Sequence, residues 1–161
     1  MIPLAFSFAA LVTALSPAAA QTLSVTSDKP EYRLGDSPVF TVTTKEDCFL
    51  TLVAINAEGT GIALYPNRFQ QDNRIKAGID FKIPGPGAPF RYSLHKCGDE
   101  RIFAICRPTS VTIGGIAHNF TRGAVTGVQT DDFQQWVSGN KDHVAEITFK
   151  VLPPPRPEGS Q

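Results

Sequence analysis

The chain has 161 residues, 42% hydrophobic and 19% charged. This is the composition of one ordinary globular domain and excludes a disordered or fibrous chain. Fifteen Lys and Arg balance fifteen Asp and Glu. The basic residues stand singly, which argues against a nucleic-acid-binding face and against a charged interaction tail. Thirteen Gly and thirteen Pro supply the many turns that an all-β fold needs.

Residues 1–20 read as a secretory signal peptide. Leu4 to Leu15 is an uncharged, mostly apolar run, Ser16-Pro17 breaks it, and Ala18-Ala19-Ala20 offers a small-residue cleavage site before Gln21. The run is too short to span a bilayer as a helix. No Lys or Arg precedes it, so either the start lies upstream or the amino terminus supplies the charge. A buried N-terminal helix is the alternative. No Cys follows the run, so a lipoprotein anchor is not indicated.

Short runs with period-two alternation follow, each reading as a strand with one wet face. Leu23 and Val25 alternate with Ser24 and Thr26, and Phe40 and Val42 with Thr41 and Thr43. Cys48–Ile55 is apolar on both faces and is expected to be a central strand. Ile79, Phe81 and Ile83 alternate with Asp80 and Lys82, and Phe90, Tyr92 and Leu94 with Arg91, Ser93 and His95. Ile102–Cys106 is again apolar on both faces, and Ala145, Ile147, Phe149 and Val151 form the last alternating run. Between the runs lie turn signals such as Asp28-Lys29-Pro30, Glu58-Gly59, Pro66-Asn67 and Pro84–Gly87.

One stretch breaks this rhythm. Pro108 to His143 is a 36-residue connection before the last strand. Within it Asp131–Ser138 fits one short helix, with acidic residues in its first turn and Gly139-Asn140 after it. Connections of this length are uncommon in compact domains. They either carry function or cover a sheet edge. After Leu152 the chain runs Pro-Pro-Pro-Arg-Pro-Glu-Gly-Ser-Gln, an extended tail over 153–161. The expected organisation is therefore a signal peptide, one β-sandwich domain over 21–152, and a Pro-rich disordered tail.

The stretch SDKPEYRLGDSPVFTVTTKEDCFLTLVAINAEGTGIALYPN, followed by NRIKAGIDFKIPG, resembles the bacterial domain of unknown function family 4384. Tyr32, Gly35-Asp36, Asp47-Cys48-Phe49-Leu50, Gly59 and Leu64-Tyr65-Pro66-Asn67 carry the likeness, and Gly98-Asp99-Glu100 before an apolar strand resembles the later segment. The likeness spans residues 23–107 and brings no catalytic motif. Members of that family often stand as accessory domains beside kinase, caspase-like or repeat domains, but here the resembling stretch follows the expected signal peptide, so that context does not transfer. Together with the alternation the resemblance implies an all-β fold, an immunoglobulin-like antiparallel β-sandwich with a long, partly helical connection before the last strand. Gly35 and Glu58-Gly59 are expected to hold tight turns, and Pro66-Asn67 to end a strand.

No constellation here points to catalysis. His95-x-Cys97 puts two candidate ligands on one strand face, with Cys106 nearby in sequence. No second paired ligand accompanies them, and His118 and His143 stand alone, so no metal is expected. A Cys–His nucleophile pair lacks any recognisable surrounding signature. Glu46-Asp47 and Asp131-Asp132 are adjacent carboxylates that do not converge on one atom. Phosphate-loop and dinucleotide patterns are absent, so no cofactor is expected. The sequon Asn119-Phe120-Thr121 marks a surface loop. Phe133 and Trp136, the only Trp, share the expected helix. They read first as a plug that docks it onto the sandwich, and second as an aromatic contact for a partner.

Three cysteines follow the leader, and an oxidising compartment favours one disulfide. Cys48 begins one doubly apolar strand and Cys106 ends the other, so antiparallel pairing brings them together. Cys97 lies toward the far end of the second strand and is expected to be free. These features point to a periplasmic or secreted, non-catalytic binding or accessory domain of the bacterial envelope. Its expected partner is an envelope protein, with no nucleic acid and no membrane-spanning segment after cleavage. The alternatives are a small envelope enzyme using the 108–143 connection, or a protease inhibitor.

Overall fold

The computed structural model describes residues 22–109 and 130–155, with side chains from 133 onward in the second stretch. The expected leader, the sequon, His118, the Asp131-Asp132 side chains and the end of the tail lie outside the described residues. Nine strands are present among the described residues. They are β1 (Leu23–Ser27), β2 (Glu31–Arg33), β3 (Phe40–Thr44), β4 (Cys48–Ile55), β5 (Gly61–Tyr65), β6 (Arg74–Ile75), β7 (Phe81–Ile83), β8 (Gly98–Arg107) and β9 (Val144–Leu152). Among the described residues a single α-helix, α1 (Thr130–Gly139), precedes β9.

The strands form two sheets. The smaller has the order β1-β3-β7. The larger has the order β2-β9-β8-β4-β5, with β6 also paired to β4. This is an all-β sandwich with the immunoglobulin-like division of strands, extended by β5 beside the central pair. All strand pairs are antiparallel except β2 with β9, which run parallel. The expected antiparallel sandwich is present, with one parallel pair at that edge. The parallel pair escaped sequence reading because Glu-Tyr-Arg is three residues with a single buried side chain, Tyr32.

The two doubly apolar runs become the centre of the larger sheet. β4 and β8 pair from Phe49 with Arg107 through Ile55 with Arg101. Period-two alternation sends Leu50, Leu52, Ala54, Ile102 and Ala104 to one face, where Val25, Phe40 and Val42 of the smaller sheet meet them. Val53, Ile55, Phe103 and Ile105 go to the other face, and α1 covers it with Phe133. Both faces are therefore dry, which is why neither strand shows an alternating polar face.

Two expected strands differ from the structure. Ile79 was expected to face inward with Phe81 and Ile83, but it is 60% exposed. The Gly78 N–H donates to Thr44 O at 2.8 Å, and the ladder with β3 starts only at Phe81. Residues 90–95 form no strand. Phe90 and Tyr92 are half-buried and Leu94 is buried, while Arg91 and His95 are exposed. The alternation is real, but it reflects a segment laid across the core without ladder partners. The turn glycines Gly35 (φ +91°) and Gly59 (φ +78°) sit where expected.

Gly98-Asp99 also reads as a turn in the sequence, but Gly98 begins β8, and its role is steric. At the start of β8 its φ is +116°, and a Cβ there would lie 2.6 Å from the Ala57 Cβ of the β4–β5 turn. At Gly59 the conformation is also left-handed, but no atom lies within 4 Å of an added Cβ. We expect Gly59→Ala to cost about 1–2 kcal/mol from backbone strain alone. Gly98→Ala should cost about 3 kcal/mol or more, because strain and overlap add. Urea denaturation midpoints compare the two, and equal losses would refute the close-approach role.

Candidate functional site

The β3–β4 loop, the start of β1 and both ends of the long connection meet at one end of the sandwich. They enclose a cleft of about 90 Å³. Thr22 and Leu23 line one side, and Thr44, Glu46 and Asp47 a second. Pro108, Asp142 and His143 close it, and Cys48 and Cys106 lie at its base. The volume is that of about three water molecules. It is well below the several hundred Å³ of a typical small-molecule pocket. A single side-chain head group of a partner fits it, whereas a drug-sized ligand does not.

The rim is rigid for local reasons. Thr44 Oγ1 donates to Glu46 O at 2.9 Å and accepts from Glu46 N–H at 3.2 Å, which fixes the tight loop into β4. Asp47 accepts from Lys76 Nζ at 2.6 Å and from Ala77 N–H at 3.0 Å, tying the loop to the chain after β6. The Lys76 ammonium first, and then the Ala77 amide, hold the Asp47 carboxyl below its usual range. The pair is solvent-exposed, so it orders the loop more than it stabilises the fold. On the far side Lys141–His143 forms a single 3-10 turn leading into β9.

Cys48 and Cys106 form a disulfide with Cα atoms 5.5 Å apart, and Cys97 is free and exposed. Its geometry refines the sequence argument. The residue opposite Cys106 is Leu50, whereas Cys48 pairs with Ile75. The bridge therefore runs diagonally, between two side chains on the face turned toward the smaller sheet. His95 and Cys97 precede β8, while Cys106 lies near its other end. The residues of the H-x-C pattern and Cys106 are thus not brought together. Among the described residues no three His, Cys, Asp or Glu side chains form a group able to hold a metal ion.

The two aromatic candidates on α1 separate. Phe133 is 2% exposed and meets Phe103 edge to face at 5.2 Å. That burial gives it the plug role and removes it as a partner contact. Trp136 is half-buried on the same cluster, with the Arg107 guanidinium 5.8 Å from its ring centre. Arg107 also donates to Asn140 Oδ1 at 2.6 Å, and Asn140 Nδ2 donates to Trp136 O at 2.8 Å. Asn140 thus ends the helix and locks it to β8.

A second surface was missed. Phe69 is 48% exposed, stacks on Phe90 at 6.0 Å, and carries the Arg68 guanidinium 4.4 Å above its ring. The loop that presents it is built by Asn67, whose Oδ1 accepts from Phe69 N–H and Gln70 N–H while its Nδ2 donates to Leu64 O. The signal in the sequence is an aromatic residue two positions after Asn67, with no alternation around it.

Residues 31–110 match the family described as Domain of unknown function (DUF4384). The chain thus resembles that family from β2 through the end of β8, and β1, α1 and β9 lie outside the match. No curated protein and no solved structure matches the chain. Among the described residues no helix is long and apolar enough to cross a membrane.

Two stability outcomes follow from this geometry. The bridge closes a loop with a sequence separation of 58. Replacing both Cys48 and Cys106 by Ala should cost about 4 kcal/mol in the chain-entropy account. Phe133→Ala should cost about 3–5 kcal/mol, because it uncovers Phe103, whereas Trp136→Ala should cost less. Thermal and urea unfolding measure all three, and a neutral Phe133→Ala would show that α1 is not a structural cover.

Proposed function

We propose that this chain is a non-catalytic binding or accessory domain of the bacterial envelope, exported to the periplasm or beyond, whose partner is a protein gripped at the loop end. The observation that supports this most is the cleft between the β3–β4 loop and the two ends of the 108–143 connection. Loops on a rigid sandwich are where recognition residues gather. Here the scaffold beneath them is fastened by the Cys48–Cys106 disulfide. The small volume favours insertion of one partner side chain over capture of a metabolite. Glu46 and Asp142 on the rim favour a basic or amide-rich side chain, Asp47 being already paired with Lys76. The disulfide and the N-terminal apolar run support export.

The position of Phe133 sharpens the test. Removing the whole connection would strip the cover from the larger sheet, so the replacement is confined to residues 110–129. The tagged protein is used to retrieve partners from an envelope extract. Exchanging 110–129 for a Gly-Ser linker, or making the double charge reversal Glu46→Lys with Asp142→Lys, should abolish stoichiometric retention while the β-sheet circular dichroism stays intact. Full retention by both folded variants would overturn the reading. Turnover by the wild-type protein in a hydrolase panel, lost in the same variants, would favour an enzyme instead.

A further inference from the structure

β7 ends at Ile83 in the smaller sheet and β8 begins at Gly98 in the larger one. Residues 84–97 cross between them without joining either ladder. Their backbone bonds to the rest of the domain are Gly35 N–H to Leu94 O at 2.8 Å and Leu94 N–H to Asp36 O at 3.0 Å. Side chains supply the remaining anchors. Phe90 stacks on Phe69, and the Tyr92 ring lies 6.4 Å from Phe40. The Tyr92 hydroxyl donates to Glu100 Oε1. Leu94 is fully buried.

Glu100 is 3% exposed and points into the space between the sheets, on the same face of β8 as Ile102 and Ala104. Among the described residues none of the elements around it supplies a compensating cation. Its partner on β9 is Phe149, and Phe40 of β3 stacks on that ring. Tyr32 of β2 meets Phe149 edge-on, and its hydroxyl is committed to Asp28. Asp99 and Arg101 fall on the opposite face of β8, where Arg101 pairs with Glu146, and Lys150 lies opposite Asp99. On the crossing segment Arg91, His95 and Lys96 are exposed, and Lys96 pairs with Glu58. Asp36 at the turn pairs with Lys29. Tyr92 is the only hydrogen-bond donor to this carboxyl among the described residues.

We propose that residues 84–97 form a pH-responsive strap across the core, closed over a protonated Glu100 and released as that carboxyl ionises. Burial pushes the Glu100 carboxyl above its ordinary value of 4.5, and the Tyr92 hydrogen bond offsets this only in part. Burial first, and then the bond to Glu100, also pushes the Tyr92 hydroxyl upward, so Tyr92 stays a donor throughout. The sign follows from linkage. A carboxyl whose closed-state pKa is raised contributes its full stability below the ordinary value and loses it as pH rises through the closed-state value. Opening the strap hydrates the carboxylate, so ionisation favours the open form.

Amide hydrogen exchange of the full mature chain, corrected for intrinsic rates, tests this. The opening constant of residues 84–97 should be flat below pH 4.5, rise by up to tenfold per pH unit above it, and level off beyond the closed-state pKa of Glu100. Central β4 and β8 amides should not follow. Glu100→Gln should remove the rise. Tyr92→Phe takes away the one donor, so it should extend the rise to higher pH, and it serves if the Gln variant does not fold. A strap whose corrected opening is independent of pH in the wild type overturns the proposal. So does an unchanged pH profile in either folded variant.

Discussion

The antiparallel pairing of β4 with β8 is the constraint on which the rest of the domain depends. Each strand alternates apolar side chains to both faces, so the pair can lie only where both faces are covered. The smaller sheet covers one face. Three strands suffice there because the 84–97 segment adds Tyr92 and Leu94 to the same core. The other face needs a second cover, and the chain supplies it from the connection itself, by placing Phe133 of α1 on Phe103 before β9 returns beside β8. Part of the long connection is therefore paid for by packing, and only the remainder is available to recognition. The disulfide acts on the same pair, fastening the two central strands at the end that carries the cleft.

Two carboxyls in partly dry surroundings show how local donors decide the charge state. Burial pushes Asp28 up, but its Oδ1 accepts from the Tyr32 hydroxyl at 2.6 Å and from Val39 N–H at 2.7 Å, and these bonds leave its pKa below the ordinary value. Glu100 is more deeply buried and has a single hydroxyl donor, so the balance falls the other way. A backbone N–H aimed at an anion by the fold costs nothing further to orient, whereas a tyrosine on an unpaired segment must itself be held in place. The two groups consequently pull in opposite directions. Asp28 contributes stability above its unfolded value of 3.8 and loses it as pH falls, while Glu100 loses its contribution as pH rises.

The framework was legible wherever burial alone dictated the residue pattern. Cys48–Ile55 appears as a strand with the expected bounds, and Ile102–Cys106 falls inside β8. The sandwich follows, because two such runs require covers on both sides. What sequence could not show was pairing without periodicity. β2 has one inward residue, and β6 has two residues in all. Residues 90–95 carry a strand-like alternation because one side of an extended segment is buried, a condition that a ladder and a strap satisfy equally. The disulfide partners were legible from strand ends, but their diagonal offset depends on register, which a single sequence leaves open. At the loop end the connection was marked by its length. The contributions of Glu46 and Thr44 were not, because a short polar loop between two strands looks the same whether or not it borders a cleft.

The boundary of the family match divides the candidate surfaces in a way that bears on function. Residues 31–110 contain the β3–β4 rim, both bridged cysteines, the Asn67 loop with Phe69, and the whole 84–97 segment with Glu100. The opposite rim of the cleft, Asp142 and His143, and the helix with its Phe133 plug lie beyond it. A property carried by the matched region alone has the Phe69 flank, the 84–97 segment and one side of the cleft to draw on. Recognition that uses both rims needs the segment after residue 110 as well. The domain also completes its core with that segment, since β9 supplies Phe149 and Val151 to the inter-sheet space and α1 supplies the outer cover. Fold completion and two-sided recognition thus draw on the same stretch of chain. This couples the packing of α1 to the geometry of the cleft: Arg107, the last residue of β8, holds Asn140 at the helix end, and His143 follows three residues later at the rim.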